Sequence, residues 1–209
     1  MHRRVLILAP HADDGELGCG GTAAKFVEEG REVHMAVFSL AEKSVPPPFP
    51  RDALLGELSK AADVLGIPRG NLHVFRFEVR DFPSQRQAIL EEIVGLRDRL
   101  APDLVFVPSL SDIHQDHQVV AREGLRAFKR QTVLGFEEPW NNIIFETRAF
   151  VVLEERHVDR KVAALACYET QRARSYLDES FIRSLARTRG TQLESRCAEA
   201  FEVLRLILP

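Results

Sequence analysis

Short apolar runs alternate with longer amphipathic stretches along the chain. Residues 5–10, 33–38, 72–77, 103–108, 132–136 and 149–153 are dense in Val, Ile, Leu and Phe and predict strands. The run 103–108 is almost wholly apolar, as a central parallel strand covered on both faces should be. Helical patterns fill 20–29, 51–65 and 84–100, and another carries Val120, Ala121, Gly124, Leu125 and Phe128 on one face. In 84–100, Ile89, Leu90, Ile93, Val94 and Leu100 share a face, and Ser84 is placed as the N-cap. Gly30 and Gly66 follow the first two helical patterns, where a C-terminal cap needs left-handed backbone. Residues 44–50 hold four prolines and predict a loop. A helix over 157–168, a polar stretch, and a final helix through Ala198, Phe201, Leu204 and Leu208 complete the pattern.

Strand–helix alternation implies a parallel sheet with helices on both faces. The predicted architecture is a single Rossmann-like three-layer α/β domain over residues 1–209, mostly parallel, with strand order 3-2-1-4-5. In that order the first and fourth strands are neighbours, and the chain reverses direction between them. Ligands of such sheets bind at the carboxyl ends of the strands, at that switch point. Two polar clusters far apart in sequence edge it: Ala9 to Thr22 after the first strand, and Ser109 to His117 after the fourth.

Composition narrows the partners. A formal net charge of -3 gives no electrostatic case for nucleic acid. No apolar run approaches the roughly 20 residues of a membrane span, and the run behind Arg4 is too short for a signal peptide. Three cysteines, Cys19, Cys167 and Cys197, show no CxxC spacing, which fits a reducing cytoplasm.

The loop chemistry points to a divalent metal. His11, Asp13 and Asp14 sit in a strand-to-helix turn, and His114 and His117 are three residues apart with Asp116 between them. Zinc takes imidazole nitrogen and carboxylate oxygen, and catalytic sites use three protein ligands with a position left for water. His11, Asp14 and His117 make such a set, leaving Asp13 and His114 beside the metal for acid–base work. Each cluster alone has a plainer reading: an Asp pair can cap a helix, and a lone HxxH is a weak signal. Their joint placement at neighbouring strand ends favours the metal. Gly18, Gly20 and Gly21 are spaced GxGG rather than GxGxxG, so a dinucleotide site ranks below it. These glycines suit a tight turn and close helix–strand approach.

Pro10-His11-Ala12-Asp13-Asp14-Gly15-Glu16-Leu17-Gly18-Cys19-Gly20-Gly21 resembles the HPDDE-x-x-x-GG signature of the PIG-L/LmbE deacetylases. His114-Gln115-Asp116-His117 is similar to that family's HxDH signature. Glu57, Ala61, Leu65 and Gly66 resemble its second-helix pattern, and Ala198-Glu199-Ala200-Phe201 its AEAF. The resemblance implies zinc (with another divalent metal as the alternative) and hydrolysis of an N-acetylglucosamine-type conjugate. It implies His11, Asp14 and His117 as zinc ligands and Asp13 as general base. It also implies His114 as an imidazolium stabilising the oxyanion, with Asp116 orienting it. An oligomeric assembly is also in the family's habit. Departures are Ala12 for Pro, Gly15 for Glu, Leu54 for an arginine and Cys197 for a tyrosine.

Substrate contacts are expected from Lys43, Arg51, Arg80, Trp140, Asn141 and Glu199. Trp140 beside two amides suits a sugar ring, although such a trio also anchors loops. Arg51 and Arg80 suit a phosphate or carboxylate, although exposed arginines are commonly only solvated surface. Arg183, Arg187 and Arg189 read as a charged helix face. Two rivals to the de-N-acetylase stand: a related amidase acting on a larger amide, and a sugar- or metal-binding protein without turnover.

Overall fold

The computed structural model describes residues 2–208. One seven-stranded sheet organises them. Its strands are β1 (Arg4–His11), β2 (Glu32–Ser39), β3 (Leu72–Val74), β4 (Leu104–Pro108), β5 (Thr132–Phe136), β6 (Ala149–Leu153) and β7 (Cys197–Arg205). The order is β3-β2-β1-β4-β5-β7-β6. The first five strands run parallel in the expected 3-2-1-4-5 order. β7 enters antiparallel between β5 and β6.

The helices are α1 (Asp14–Glu28), α2 (Ala53–Leu65), α3 (Arg86–Leu100), α4 (Gln115–Ala127), α5 (Glu155–Leu165) and α6 (Glu179–Thr191). Strand alternation decides which core each strand residue joins. From β1, Val5, Ile7 and Ala9 pack with residues of α1, α2 and α5. Leu6 and Leu8 turn to the opposite face and pack with α3 and α4. The result is the three-layer arrangement, with β1 buried on both faces.

The C-terminal segment is a strand, not the final helix expected through Ala198, Phe201 and Leu204. Residues Cys197 to Phe201 are all buried, because β7 is flanked by two strands and covered on both faces. A short, doubly buried apolar run carries no period that separates strand from helix. The polar stretch before it contains α6, whose N-cap Asp178 accepts from the backbone N–H groups of Ser180 and Phe181. Ser84 is not the cap of α3: that position is Gln85, and the Ser84 hydroxyl donates to the Asp81 carbonyl. β3 ends at Val74, three residues short of the expected 72–77.

α1 begins at Asp14, six positions before the expected 20–29. Its glycines therefore lie inside a helix rather than in a turn. A Cβ on Gly18 would sit 2.3 to 2.9 Å from the Phe136 side chain of β5. Close approach, the second of the two roles expected for the glycines, accounts for them. It draws the first turn of α1, with Asp13 and Asp14, down over the strand ends.

Candidate metal centre and catalytic cavity

β1 ends on His11, and Asp13 is the N-cap of α1. β4 ends at Pro108, and a polar loop leads to His114, the N-cap of α4. β1 and β4 are paired neighbours, so the two clusters meet at one edge of the sheet.

Three atoms converge there. His11 Nδ1 lies 3.1 Å from Asp14 Oδ2, His117 Nε2 lies 3.2 Å from Asp14 Oδ2, and the two ring nitrogens are 3.3 Å apart. The outer nitrogens fix the tautomers. His11 Nε2 faces Asp116 Oδ2 at 3.0 Å and donates to it. His117 Nδ1 faces Asp112 Oδ2 at 2.9 Å and donates likewise. Lone pairs are then left on His11 Nδ1 and His117 Nε2, pointing at a carboxylate oxygen. Zinc bonds of 2.0–2.1 Å in a tetrahedron put ligand atoms about 3.3 Å apart. The donor set and its spacing fit zinc.

The local charges follow from this crowding. Burial raises the Asp14 pKa, but His117 and His11 outweigh it and hold the carboxyl far below its ordinary value. Burial lowers both imidazoles, and the surrounding carboxylates more than reverse this, Asp14 most of all, so His11 and His117 end above their ordinary values. Asp13 is pushed the other way: burial first, then Asp14 and Glu16, raise its carboxyl well above the usual range. Its backbone is also unusual, with φ 96°. A non-glycine residue there costs about 1–3 kcal/mol and persists only where its surroundings impose it.

His114 is half-buried, and its Nδ1 accepts from the Asp116 backbone N–H at 3.2 Å. Burial, with His117 and His11 close by, keeps its pKa below the ordinary value, which favours the neutral ring. The Asp116 side chain, expected to orient His114, is instead engaged by His11 Nε2 and by the backbone N–H groups of Arg80 and Phe82. Its only hydrogen bond to His114 among the described residues runs through the main chain.

A cavity of about 300 Å³ opens over these groups. His11, Asp13, Asp14, His114 and His117 line it, as do the expected Trp140 and Asn141. Trp140 stacks on Tyr176 with ring centroids 4.3 Å apart, so one of its faces is already covered. Asn141 donates to Glu138 Oε2 at 3.3 Å.

The other expected substrate residues lie elsewhere. Lys43 and Arg51 line a neighbouring cavity of about 170 Å³, where Lys43 pairs with Glu78 and Arg76 with Glu42. Arg80 reaches the centre through its backbone N–H. Glu199 is absent from the walls of the catalytic cavity; it accepts from Lys161 and from the backbone N–H groups of Gly21 and Thr22. It braces α1 from β7.

Sequence reasoning passed over Asp112, Glu138, Gln171, Arg174 and Tyr176. Glu138 is buried, with Oε2 3.6 Å from His117 Nδ1 and Oε1 without a partner among the described residues. It follows the carboxyl end of β5, and the strand-end rule that selected the first two loops points to it as well. The last three come from the α5–α6 connection and carry no local motif.

A family model described as PIG-L, GlcNAc-PI de-N-acetylase, matches residues 6–128. The uncharacterized deacetylase YaiS of Escherichia coli (strain K12) is 26% identical over 168 residues, covering 77% of this chain and 88% of YaiS. The N,N'-diacetylchitobiose deacetylase from Pyrococcus horikoshii superposes with a TM-score of 0.81 at 18% identity, over 97% of this chain and 84% of that one. GalB, the 4-carboxy-2-hydroxymuconate hydratase from Pseudomonas putida KT2440, does so with a TM-score of 0.81 at 20% identity, over 99% and 98%. The two superpositions establish a shared fold, on which both a deacetylase and a hydratase are built. The family match spans more than half of the chain and contains both convergent clusters, and the chain belongs to the PIG-L deacetylase family.

Proposed function

We propose that this protein is a zinc-dependent hydrolase that removes an N-acetyl group from an amino-sugar conjugate. One observation carries the reading: three lone-pair atoms at tetrahedral-edge spacing share a cavity with the Asp13 carboxyl and with a His114 ring whose Nε2 makes no hydrogen bond among the described residues. His11, Asp14 and His117 hold the metal in this reading. When bound, zinc supplies Lewis acidity and brings the pKa of water from 15.7 to about 7.

Asp13 is the base. Its carboxyl lines the cavity beside the three ligand atoms, where it can take a proton from water and return one to the leaving amine. His114 supports the carbonyl oxygen as charge develops there. Because its Nδ1 already accepts from Asp116, the neutral ring carries its proton on Nε2 and donates from that atom. This replaces the imidazolium that the family resemblance implies. Asp116 and Asp112 act through His11 and His117, holding the two rings in the ligating tautomer. Asn141 and Trp140 line the same cavity and would meet a sugar there.

The test is acetate release by zinc-loaded protein over a panel of N-acetylated sugars and sugar conjugates, with longer acyl groups in parallel. Release of acetate in preference to longer acids is expected. Preference for a longer acyl group would make the protein an amidase of another kind. Metal and sugar binding without hydrolysis across the panel would overturn the enzyme reading.

A further inference from the structure

Glu16 is fully buried, yet it is neither a ligand in the proposed metal set nor a wall of the catalytic cavity. Its Oε1 accepts from the Tyr168 hydroxyl at 2.9 Å, and its Oε2 has no partner among the described residues. A buried carboxyl with one hydrogen bond is costly to keep. Burial, partly opposed by that hydrogen bond, lifts its pKa to about 7.

Tyr168 lies three residues past α5, 152 residues away from Glu16, and is 1% exposed. Glu16 lies in the first turn of α1, directly after the Asp13 cap, so this hydrogen bond ties that turn to the segment that follows α5. The phenol donates to the Glu16 carboxyl, and both groups are buried. Asp13 is the residue held at φ 96°. Its carbonyl is fixed separately, by the Leu17 N–H at 2.8 Å. A strained residue persists only where its surroundings impose it, and the Glu16–Tyr168 bond fixes the helical turn that Asp13 caps.

We infer that Glu16 and Tyr168 form a buried brace that holds the Asp13 turn in its left-handed conformation, and that both are positioning residues for Asp13. The catalytic consequence rests on the reading of Asp13 as base; the structural one does not. Glu16 also stands one position after Gly15, where the family signature places its glutamate.

Hydrogen–deuterium exchange tests the brace directly, using zinc-loaded full-length protein. Tyr168→Phe removes the hydroxyl, and Glu16→Leu removes its acceptor while leaving Tyr168 in place. In each, amides of residues 12–14 should exchange about tenfold faster, as a local opening, while those of α3 stay unchanged. Bound zinc should remain near wild-type. Glu16→Gln keeps an oxygen for the hydroxyl and should retain protection. With an active substrate in hand, kcat of the Phe and Leu variants should fall about 10²-fold with KM little changed. Wild-type exchange at 12–14 in either loosening variant overturns the brace. So does equal loosening in Glu16→Gln, or a rise in exchange that extends to α3. Faster exchange at 12–14 with full turnover supports the brace and removes Asp13 from the chemistry.

Discussion

His11 Nε2 lies 3.0 Å from Asp116 Oδ2, joining the end of β1 to the first turn of α4 across 105 residues of chain. The contact decides which ring nitrogen carries the proton, and so which one is free to ligate. Asp116→Ala removes the acceptor and frees the ring to turn or change tautomer. Zinc affinity should fall about 10- to 100-fold, the range for loss of an outer partner of a ligating histidine. His117→Ala removes one of the three proposed ligands and should lower bound metal further. Competition with a chromophoric chelator measures both, and an unchanged affinity in His117→Ala would exclude it from the site.

Asp13 separates metal binding from chemistry. Asp13→Asn keeps the shape of the side chain and cannot take a proton. Turnover should fall by about 10²- to 10⁴-fold, the usual contribution of a positioned general base. Bound zinc, read by elemental analysis, should match wild-type. Normal acetate release from this variant would assign the base elsewhere.

Much of this was legible in the chain, for a physical reason. Val5 to Ala9 and Leu104 to Pro108 are continuous apolar runs because their strands are covered on both faces, and that signature survives in sequence. The convergence of His11 with His117 followed from strand order alone. The same cause makes β7 read as a helix: five buried residues in a row carry no alternation. Glu199 resembled a site residue through its motif, whereas its work is to hold α1 against β7, a contact that only the fold creates. Tyr176 and Arg174 reach the cavity from an irregular connection with no period to read.

Gly15, the departure from the family glutamate, packs against Met35 of β2 and, at 3.3 Å from an added Cβ, against Ala9 of β1. A Cβ there would meet Met35 Cε at 2.9 Å and Sδ at 3.0 Å, the mobile end of a flexible side chain. At Gly18 the obstacle is the Phe136 ring and its Cβ, at 2.3 to 2.9 Å, in the centre of the sheet. Gly15→Ala should therefore be absorbed with a small fall in melting temperature. Gly18→Ala should cost about 1–3 kcal/mol through overpacking and shift α1 enough to lower activity as well. Thermal unfolding of the two variants ranks them, and equal losses would show that the Met35 end does not yield.

A pair of imidazoles far from the cavity sets part of the acid stability. His34 Nδ1 and His73 Nε2 face each other at 3.2 Å between β2 and β3, and Glu32 takes the other His34 nitrogen at 2.9 Å. Burial first, then His34 and Arg99, pull the His73 pKa from 6.5 down to about 4. The folded state thus binds the His73 proton more weakly than the unfolded chain does. Linkage then makes this contribution fully present above pH 6.5 and progressively lost as pH falls towards 4, with no further change below. Urea midpoints measured through that window should decline more steeply for wild-type than for His73→Gln, which has no proton to gain. Because His73 is about half-buried, solvent screening reduces the difference, so the slope rather than the absolute stability is the quantity to compare. Parallel slopes in the two proteins would show that the acid limb belongs to other groups.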